Sequence, residues 1–491
     1  MRPISYYRRA FWLITAVLFV AGCRGVGGGS SPMVPLAASR EGRFPIEPTH
    51  RSALDKIKHV VIVIQENRSL NNLFYGFPGA KTVTFGYDSK NQKIELKPIG
   101  LSTSWDLQHN EQGFILACNG TGKIPGTDCR MNGFDKLYWQ CSHPGFPKCP
   151  AKYPPYSYVP HSETTPYFDL AHQYVLADEM YPSNFDVSSY VSHQYIIAGQ
   201  ADHATNYPAI NWGCPGGPTD FVQTLKANPP RVFGPNLMPV CFDYKTLADE
   251  LDAAGLSWHF YAGPLGLHGP HGKPCGKSDD EPDSSSGSGS YRETGIWSSY
   301  QAIEHICYGV DWNNDVTSGP PKFLEDVAKG TLASVTWITP YCRDSDHTGC
   351  NSDGGPSWVA SVVNAIGESQ FWSSTAIFVF WDDPGGFYDS VGPKYVDYDG
   401  LGMRIPMLII SPYAKKGLVS HIHYEHGSIL KFIEDRFSLH SLAASDSRAT
   451  SPEKDCFDFS KPPRQFVPIK SKYDMSHFIH EAPDYRPADT N

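Results

Sequence analysis

Residues 59–69 of the chain read HVVIVIQENRS, an apolar run that passes directly into a polar turn. Five of the six residues in 59–64 are β-branched and apolar, which is typical of a strand buried on both faces of a parallel sheet. Ligands of open parallel sheets bind outside the carboxyl ends of the strands. The polar residues that follow Ile64 are therefore candidates for a functional site.

Three further segments have the same apolar composition and predict strands: 335–338, 377–381 and 407–410. Apolar residues recur at helical spacing in 358–366 and in 429–437, between and after these segments. Alternating strands and helices predict an α/β fold, with a mostly parallel sheet and helices on both faces. Residues 68–160 and 263–300 are rich in Gly, Pro, Asn and Ser, and we expect long loop insertions there.

The composition excludes two classes of protein. The chain has 491 residues, of which 40% are hydrophobic and 13% aromatic, so it is not intrinsically disordered. Its 41 Lys and Arg against 51 Asp and Glu give a formal net charge of −10. A protein that binds phosphate backbones would carry a basic surplus, so we expect no nucleic-acid partner.

The first residues have the pattern of an export signal. Three arginines precede the apolar residues 11–20, and the run ends at Val20-Ala21-Gly22-Cys23. This ending resembles the lipobox of bacterial lipoproteins. It predicts a signal peptide over 1–22, a Gly/Ser/Pro tether over 23–48 and a membrane anchor through lipidated Cys23. The protein would then be exported and lipid-anchored at the cell envelope, periplasmic or surface-facing. The alternative is ordinary cleavage nearby, with Cys23 a free cysteine.

In an exported protein the remaining cysteines are disulfide candidates. Three pairs are close in sequence and enclose short loops: Cys118 with Cys129, Cys141 with Cys149, and Cys342 with Cys350. A zinc site is the rival interpretation of the last pair, because His347 lies between its cysteines. No C-x-x-C pair occurs in the chain, which favours disulfides.

Acidic and amide side chains follow two of the predicted strands. Glu66 and Asn67 come after the first, and Asp382 and Asp383 come after 377–381 and before Pro-Gly-Gly. If these strands are neighbours, the carboxylates converge and repel one another unless a cation bridges them. Oxygen ligands of this kind suit a divalent metal ion, of which we expect one. The alternative is that each acid is a solvated loop residue or a helix N-cap.

Histidines and a serine pair complete the set of candidates. His109, His347, His421 and His426 lie in polar turns or at strand and helix ends, where they can donate to a phosphate or protonate a leaving group. The segment SSYVSHQ, 188–194, predicts the start of a helix, whose free backbone N–H groups suit a phosphate. A serine at that place is also the commonest N-cap.

Five motifs, in order, resemble the bacterial phosphoesterase family, which includes phospholipases C and respiratory-burst-inhibiting acid phosphatases. They are QENRS at 65–69, WDLQH at 105–109 with MNGF at 131–134, SDH at 345–347 with GP and WVA at 355–360, DDPGGFYD at 382–389, and ISP at 410–412 with His421, YEH at 424–426 and FIE at 432–434. The resemblance covers about residues 56–465. It implies an alkaline-phosphatase-like α/β/α sandwich, with a catalytic domain over 49–465 and a tail over 466–491.

The resemblance also implies roles for the candidates. Glu66, Asn67, Asp382 and Asp383 would hold the metal, and His109, His347, His426 and His421 would line the phosphate site. The family's nucleophile is a Ser or Thr three residues before an Asn, and this implies Ser189. Here Ser192 replaces the Asn and Val191 stands where Pro is usual, so Ser188 is the competing residue.

The expected function is metal-dependent hydrolysis of phosphate esters through a covalent phosphoserine. The substrates would be phosphomonoesters or phospholipid phosphodiesters, which the motifs do not separate. The alternative is a surface-tethered binding lipoprotein that keeps the fold without turnover.

Overall fold

The computed structural model describes residues 53–209, 213–225, 231, 236–263, 275–276 and 297–486. The predicted signal peptide, the tether and Cys23 lie outside the described residues, as does most of the predicted insertion over 263–300. Within the described part of the chain, no helix is both long enough and apolar enough to cross a bilayer.

The strands are β1 (His59–Gln65), β2 (Phe85–Tyr87), β3 (Lys93–Glu95), β4 (Lys97–Pro98), β5 (Ser157–Tyr158), β6 (Val175–Tyr181), β7 (Ala204–Thr205), β8 (Phe221–Thr224), β9 (Leu237–Pro239), β10 (Trp258–Ala262), β11 (Val316–Ser318), β12 (Val335–Ile338), β13 (Thr375–Trp381), β14 (Ile405–Ile410), β15 (Leu418–Ser420) and β16 (Tyr424–Glu425).

The α-helices are α1 (Leu70–Leu73), α2 (Glu111–Cys118), α3 (His161–Gln173), α4 (Ser189–Ala198), α5 (Leu247–Ala253), α6 (Glu304–Cys307), α7 (Asp311–Asp315), α8 (Lys322–Ala328), α9 (Gly355–Gly367), α10 (His426–Phe437), α11 (Ala444–Arg448), α12 (Glu453–Cys456) and α13 (Met475–His480).

The central sheet has the order β11-β10-β12-β1-β13-β14-β6-β15, and β16 also pairs with β6. Every pairing in it is parallel except the two that β14 makes, with β13 and with β6. The mostly parallel sheet that the sequence predicts is thus confirmed. Because β14 is reversed, its carboxyl end lies at the opposite edge of the sheet from the carboxyl ends of β1 and β13.

Helices cover both faces of this sheet, as expected for an α/β/α sandwich. Phe378 and Phe380 of β13 contact Phe432 and His426 of α10, with ring centroids 5.0 and 5.5 Å apart. Successive strand residues point to opposite faces. The next residue, Trp381, accordingly meets a different helix: it packs against Tyr167 of α3 at 5.0 Å.

All three predicted disulfides are present, with Cα–Cα distances of 4.6, 4.9 and 5.4 Å. The bond between Cys342 and Cys350 contradicts the zinc alternative, because the sulfurs are bonded to each other. Two long-range disulfides join Cys214 to Cys241 and Cys275 to Cys307. Cys456 is a buried free thiol, and burial raises its pKa to about 12.

The segment after residue 465 packs against the sandwich. Phe478 of α13 is fully buried, and its ring lies 5.3 Å from that of Trp358 in α9. Arg343 bonds Glu481 at 3.0 Å, which joins this segment to the loop that carries His347. These contacts join residues after 465 to the sandwich, and the domain boundary at residue 465 stays a prediction.

Candidate active site

The ends of β1 and β13 bring the four predicted metal ligands together. The two strands pair in parallel with Gln65 opposite Trp381, and the backbone N–H of Asp382 donates to Gln65 O at 3.0 Å. The residues after each strand therefore leave the sheet at the same level. Glu66, Asn67, Asp382 and Asp383 are all fully buried there.

The turn after β13 fits closely under Asn67. The backbone N–H of Asn67 donates to Asp382 Oδ1 at 3.1 Å, and Asn67 has a φ of 59°. Gly385, with a φ of 62°, lies against the Asn67 carbonyl, where a Cβ would come within 2.1 Å of the oxygen. Only glycine fits at that position, because both the conformation and the contact exclude a side chain.

Ser189 joins this cluster and Ser188 does not. The Asn67 side-chain N–H₂ donates to Asp383 Oδ2 and to Ser189 Oγ, each at 3.1 Å. The Ser189 hydroxyl donates to Asp383 Oδ2 at 3.0 Å. The Ser188 hydroxyl instead donates to Asp186 Oδ2 at 2.5 Å. Ser188 is the N-cap residue of α4 and Ser189 its first helical residue, so the adjacent side chains point to different partners.

His193 is a site residue that the sequence reasoning missed. Its Nε2 lies 2.9 Å from Glu66 Oε1 and 3.9 Å from Asp382 Oδ2. The ligand atoms of these three residues lie within 4.8 Å of one another. His193 follows Ser189 by four residues in α4, and residues spaced by four share one face of a helix. That spacing is the signal that would have identified it.

This set of donors fits a divalent cation. Asn67 Oδ1 and Asp382 Oδ2 are buried and have no hydrogen-bond partner among the described residues. Unpartnered buried oxygens are costly unless an ion or a polar ligand satisfies them. Desolvation by burial raises the pKa of Asp382 and so disfavours its ionised form. A nearby positive charge would counteract this effect and favour the ionised carboxylate. Carboxylate and amide oxygens with one imidazole are ordinary ligands of divalent first-row metals.

A second buried cluster contains Asp106, His109 and His347. Their ligand atoms also lie within 4.8 Å of one another, and the two imidazole rings are 5.7 Å apart. His109 Nδ1 donates to the backbone oxygen of Leu107 at 2.6 Å. The cluster is tied to the first one through the backbone, because Glu66 N–H donates to Ser345 O at 2.8 Å.

Arg68 and Asp346 support the segment that carries His347 through buried hydrogen bonds. Arg68 Nε donates to Asp346 O at 2.8 Å, and the Tyr167 hydroxyl donates to Asp346 Oδ2 at 2.6 Å. Asp346 is fully buried with a φ of 73°, and desolvation raises its pKa to about 6. Desolvation lowers the pKa of Arg68 to about 10. The sequence showed neither role, since their partners come from distant segments.

His426 and His421 have different environments. His426 begins α10, is fully buried, and accepts the Ser183 backbone N–H at Nδ1, 3.5 Å away. Burial lowers its pKa to about 3, so its ring is neutral near pH 7. Its Nε2 has no hydrogen-bond partner among the described residues.

His421 lies apart from the other candidates. It is half exposed, and its Nδ1 lies 2.8 Å from Asp178 Oδ1. Asp178 lies three residues before the end of β6, about 10 Å along the strand. The expectation that His421 lines the same rim as His426 assumed that the chain reaches the rim directly from 407–410. Because β14 is reversed, it ends at the opposite edge of the sheet. The chain returns to the rim through β15 and β16, which run parallel to β6, and His421 lies between these two strands.

Residues 57–440 match the model of the Phosphoesterase family, so the chain belongs to that family. It is 23% identical over 460 residues to phospholipase C A of Mycobacterium tuberculosis, which covers 84% of this chain and 80% of that protein. It is 24% identical over 435 residues to a non-hemolytic phospholipase C of Burkholderia pseudomallei, which covers 78% of this chain and 55% of the relative. The chain thus spans little more than half the length of the latter protein.

Solved structures similar to this chain include a protein in the alkaline phosphatase superfamily from Vibrio parahaemolyticus. Its TM-score is 0.34 at 10% identity, with 81% of this chain and 71% of that chain covered. Another is the phosphonate monoester hydrolase of Agrobacterium radiobacter, with a TM-score of 0.34 at 9% identity and coverage of 78% and 74%.

Proposed function

We propose that this member of the Phosphoesterase family is an exported, metal-dependent hydrolase of phosphate esters that uses Ser189 as its nucleophile. The observation that carries the proposal is the position of the Ser189 hydroxyl, buried between the Asn67 amide and the Asp383 carboxylate. The N-cap of α4 is Ser188, whose hydroxyl bonds Asp186. The Ser189 oxygen instead faces the carboxylate cluster at the ends of β1 and β13.

The relatives support this reaction class, because those named above are phospholipases C. The proposal includes both phospholipid phosphodiesters and phosphomonoesters as substrates, since each presents a tetrahedral phosphate to the nucleophile. The five disulfides among the described residues support export, because such bonds persist in oxidising compartments. Anchoring through lipidated Cys23 is part of the same proposal.

Glu66, Asn67, Asp382 and Asp383, with His193 added, would hold one divalent ion. Such an ion supplies positive charge that stabilises the phosphoryl oxygens and favours the ionised serine. The chain's own contribution is positioning. Asn67 holds Ser189 and Asp383 in one hydrogen-bonded group, and the Ser189 hydroxyl donates a hydrogen bond to Asp383 Oδ2.

The reaction then proceeds in two displacements. Ser189 Oγ forms a bond to phosphorus and gives its proton to Asp383 Oδ2. The bond from phosphorus to the leaving oxygen breaks, and a protonated histidine gives that oxygen its proton. Water subsequently attacks the phosphoserine and gives a proton to that histidine, the P–O bond to Ser189 breaks, and Asp383 returns the proton to the serine oxygen. His426 is neutral near pH 7 because of its burial. His109, which lies beside the Asp106 carboxylate, and His347 are the other candidates for the source of the leaving-group proton.

The nucleophile is tested by trapping. Acid quench during turnover of a radiolabelled phosphomonoester should leave label on the peptide that contains Ser189. Ser189→Ala should lower turnover by at least about 10³. Ser188→Ala is the matched control: it should keep turnover and lose about 1–3 kcal/mol of stability, because it removes the buried hydrogen bond to Asp186. Label on Ser188 would shift the role by one residue. No label at all, with Ser189→Ala fully active, would contradict the covalent mechanism.

The metal is tested on the same protein. Glu66→Gln and Asp382→Asn should abolish turnover and lower the content of bound metal measured by mass spectrometry, with the fold retained by circular dichroism. Full activity in either variant would contradict the site. A binding lipoprotein without turnover, the alternative function, predicts loss of these acids. They are present and buried in one cluster.

A further inference from the structure

A disulfide-closed loop projects beside the second histidine cluster. Cys141 is buried and bonded to Cys149, whereas every residue of 142–148, SHPGFPK, is exposed. We call residues 141–149 the Phe146 loop. A short loop closed by a disulfide at its base presents its side chains with little conformational freedom.

The base of the Phe146 loop is attached to the segment that carries Asp106 and His109. Gln108 N–H donates to Tyr138 O, and Gln140 N–H donates to Asp106 O, each at 2.9 Å. Cys141 belongs to a small core with Trp105, Leu107 and Phe387, and Phe387 follows the acidic turn of β13. The loop is thus fixed to both segments that build the active site.

The exposed side chains of this region are aromatic and basic. Tyr138 is 43% exposed and Phe146 41% exposed. Lys136, Lys148 and Lys152 are exposed in the same stretch of sequence, which has no acidic residue between 136 and 162 although the whole chain carries −10. A single exposed apolar side chain is ordinary. Two large aromatics with three lysines and no acid, beside an active site, are the pattern of a lipid–water interface.

We propose that the Phe146 loop docks the protein on an anionic phospholipid bilayer, with Phe146 in the interface and Lys148 on the head groups. The attached segment, which carries Asp106 and His109, would then lie next to the membrane surface. The use of this contact in catalysis rests on the proposed phospholipid hydrolysis, whereas the binding itself does not.

The test measures binding to vesicles of equimolar phosphatidylcholine and phosphatidylglycerol by flotation. Every sample is the mature chain from residue 23 with Cys23→Ser, so that neither an acyl chain nor the apolar residues 11–20 contribute. Phe146→Ser should weaken partitioning about tenfold, because a large aromatic side chain leaves the interface. Lys148→Gln should weaken it about fivefold, and its effect should diminish as salt is raised.

Two matched controls lie at the other edge of the sheet. Val467 is 57% exposed, and its neighbour Phe466 packs on Trp372 before the start of β13. Lys461 has a side chain 76% exposed. Val467→Ser and Lys461→Gln should bind vesicles like the parent protein. Loss of binding in these variants equal to that in the loop variants would overturn the proposal.

Turnover of the soluble ester p-nitrophenyl phosphate separates this proposal from the proposed function. If the loop variants lose vesicle binding and retain soluble turnover, the docking role is supported. If the parent protein hydrolyses nothing but the loop variants still lose vesicle binding, the proposed function fails and the docking surface stands. Unchanged vesicle binding in both loop variants would contradict the proposed docking surface, whatever their turnover. The remaining candidate for binding to the Phe146 loop would then be a protein partner.

Discussion

Gly385→Ala tests whether the position of Asn67 sets the rate of the reaction. A Cβ built on Gly385 lies 2.1 Å from Asn67 O and 2.9 Å from Asn67 Cβ. Real Cβ contacts are not shorter than 3.0 Å, so the two chain segments must separate by about 1 Å. Both contacts are with parts of Asn67 that cannot rotate away.

That displacement acts directly on the nucleophile. The Asn67 amide bonds Asp383 and Ser189 at 3.1 Å each, and about 1 Å more would take both contacts outside hydrogen-bond range. A misplacement of this size typically costs about 10² in rate. We therefore expect kcat/KM for a soluble phosphomonoester to fall about a hundredfold in Gly385→Ala, with kcat carrying most of the loss.

Gly255→Ala is the matched control. Gly255 has a φ of 68°, close to the 62° of Gly385, but a Cβ added to Gly255 would meet nothing within 4 Å. Alanine at a positive φ costs about 1 kcal/mol of stability in either variant. Gly255→Ala should accordingly show a small loss in thermal stability and ordinary turnover.

Two results would refute this reasoning. Gly385→Ala with kcat/KM within threefold of the parent would show that Asn67 need not stay where it is. Equal losses of activity in Gly385→Ala and Gly255→Ala would show that the backbone conformation, and not the contact, is responsible. If Gly385→Ala does not fold, Asn67→Asp tests the same group, because it exchanges the amide donor for an acceptor at constant shape.

The strands that the sequence predicted are those with continuous apolar composition, whereas β6, a central strand that it missed, contains two acids. β6 reads VLADEMY, so its pattern is interrupted by Asp178 and Glu179. Both acids have distant partners: Asp178 Oδ2 accepts the Lys81 backbone N–H at 2.8 Å, and Glu179 pairs with the Lys81 ammonium at 2.7 Å. The periodicity of a short segment gives no information about hydrogen-bond and ion-pair partners such as Lys81, which lies about a hundred residues away.

The direction of a strand is likewise absent from its composition. IPMLII of β14 is as apolar and buried as β1, and only the connections decide that it runs the other way. This is why the sequence could not separate the position of His426, at the rim, from that of His421, beside Asp178. β15 and β16 both run parallel to β6 and carry the chain back to the rim, where His426 begins α10.

The candidate site was predictable where it follows the ends of strands. Glu66, Asn67, Asp382 and Asp383 converge because β1 and β13 are parallel neighbours. The same reasoning did not identify His193, because every residue of α4 is buried and no polar face marks the side of this helix that faces the site. A wholly buried helix gives no amphipathic signal, and only the spacing from Ser189 remains as evidence.

Two further substitutions test whether the segment after residue 465 belongs to the core and whether the charge of His305 stabilises the fold. Phe478→Ala should cost about 3–5 kcal/mol of unfolding free energy, because a fully buried ring packed on Trp358 is lost; a loss below about 1 kcal/mol in thermal or chemical unfolding would show that α13 is not part of the domain core. His305 bonds Asp249 at 2.9 Å and Asp243 at 2.7 Å, and chiefly the Asp249 bond raises its pKa to about 9. A raised pKa means that the folded protein holds the proton more tightly than the unfolded chain, so this contribution is complete below about pH 6.5 and is lost as pH rises through about 9. Because the His305 side chain is 36% exposed, solvent screening reduces the contribution to about 1 kcal/mol. His305→Gln should therefore destabilise the protein by about 1 kcal/mol in urea unfolding near pH 6 and by almost nothing near pH 10. Equal destabilisation at both pH values would mean that His305 contributes packing and neutral hydrogen bonds, and not a charge.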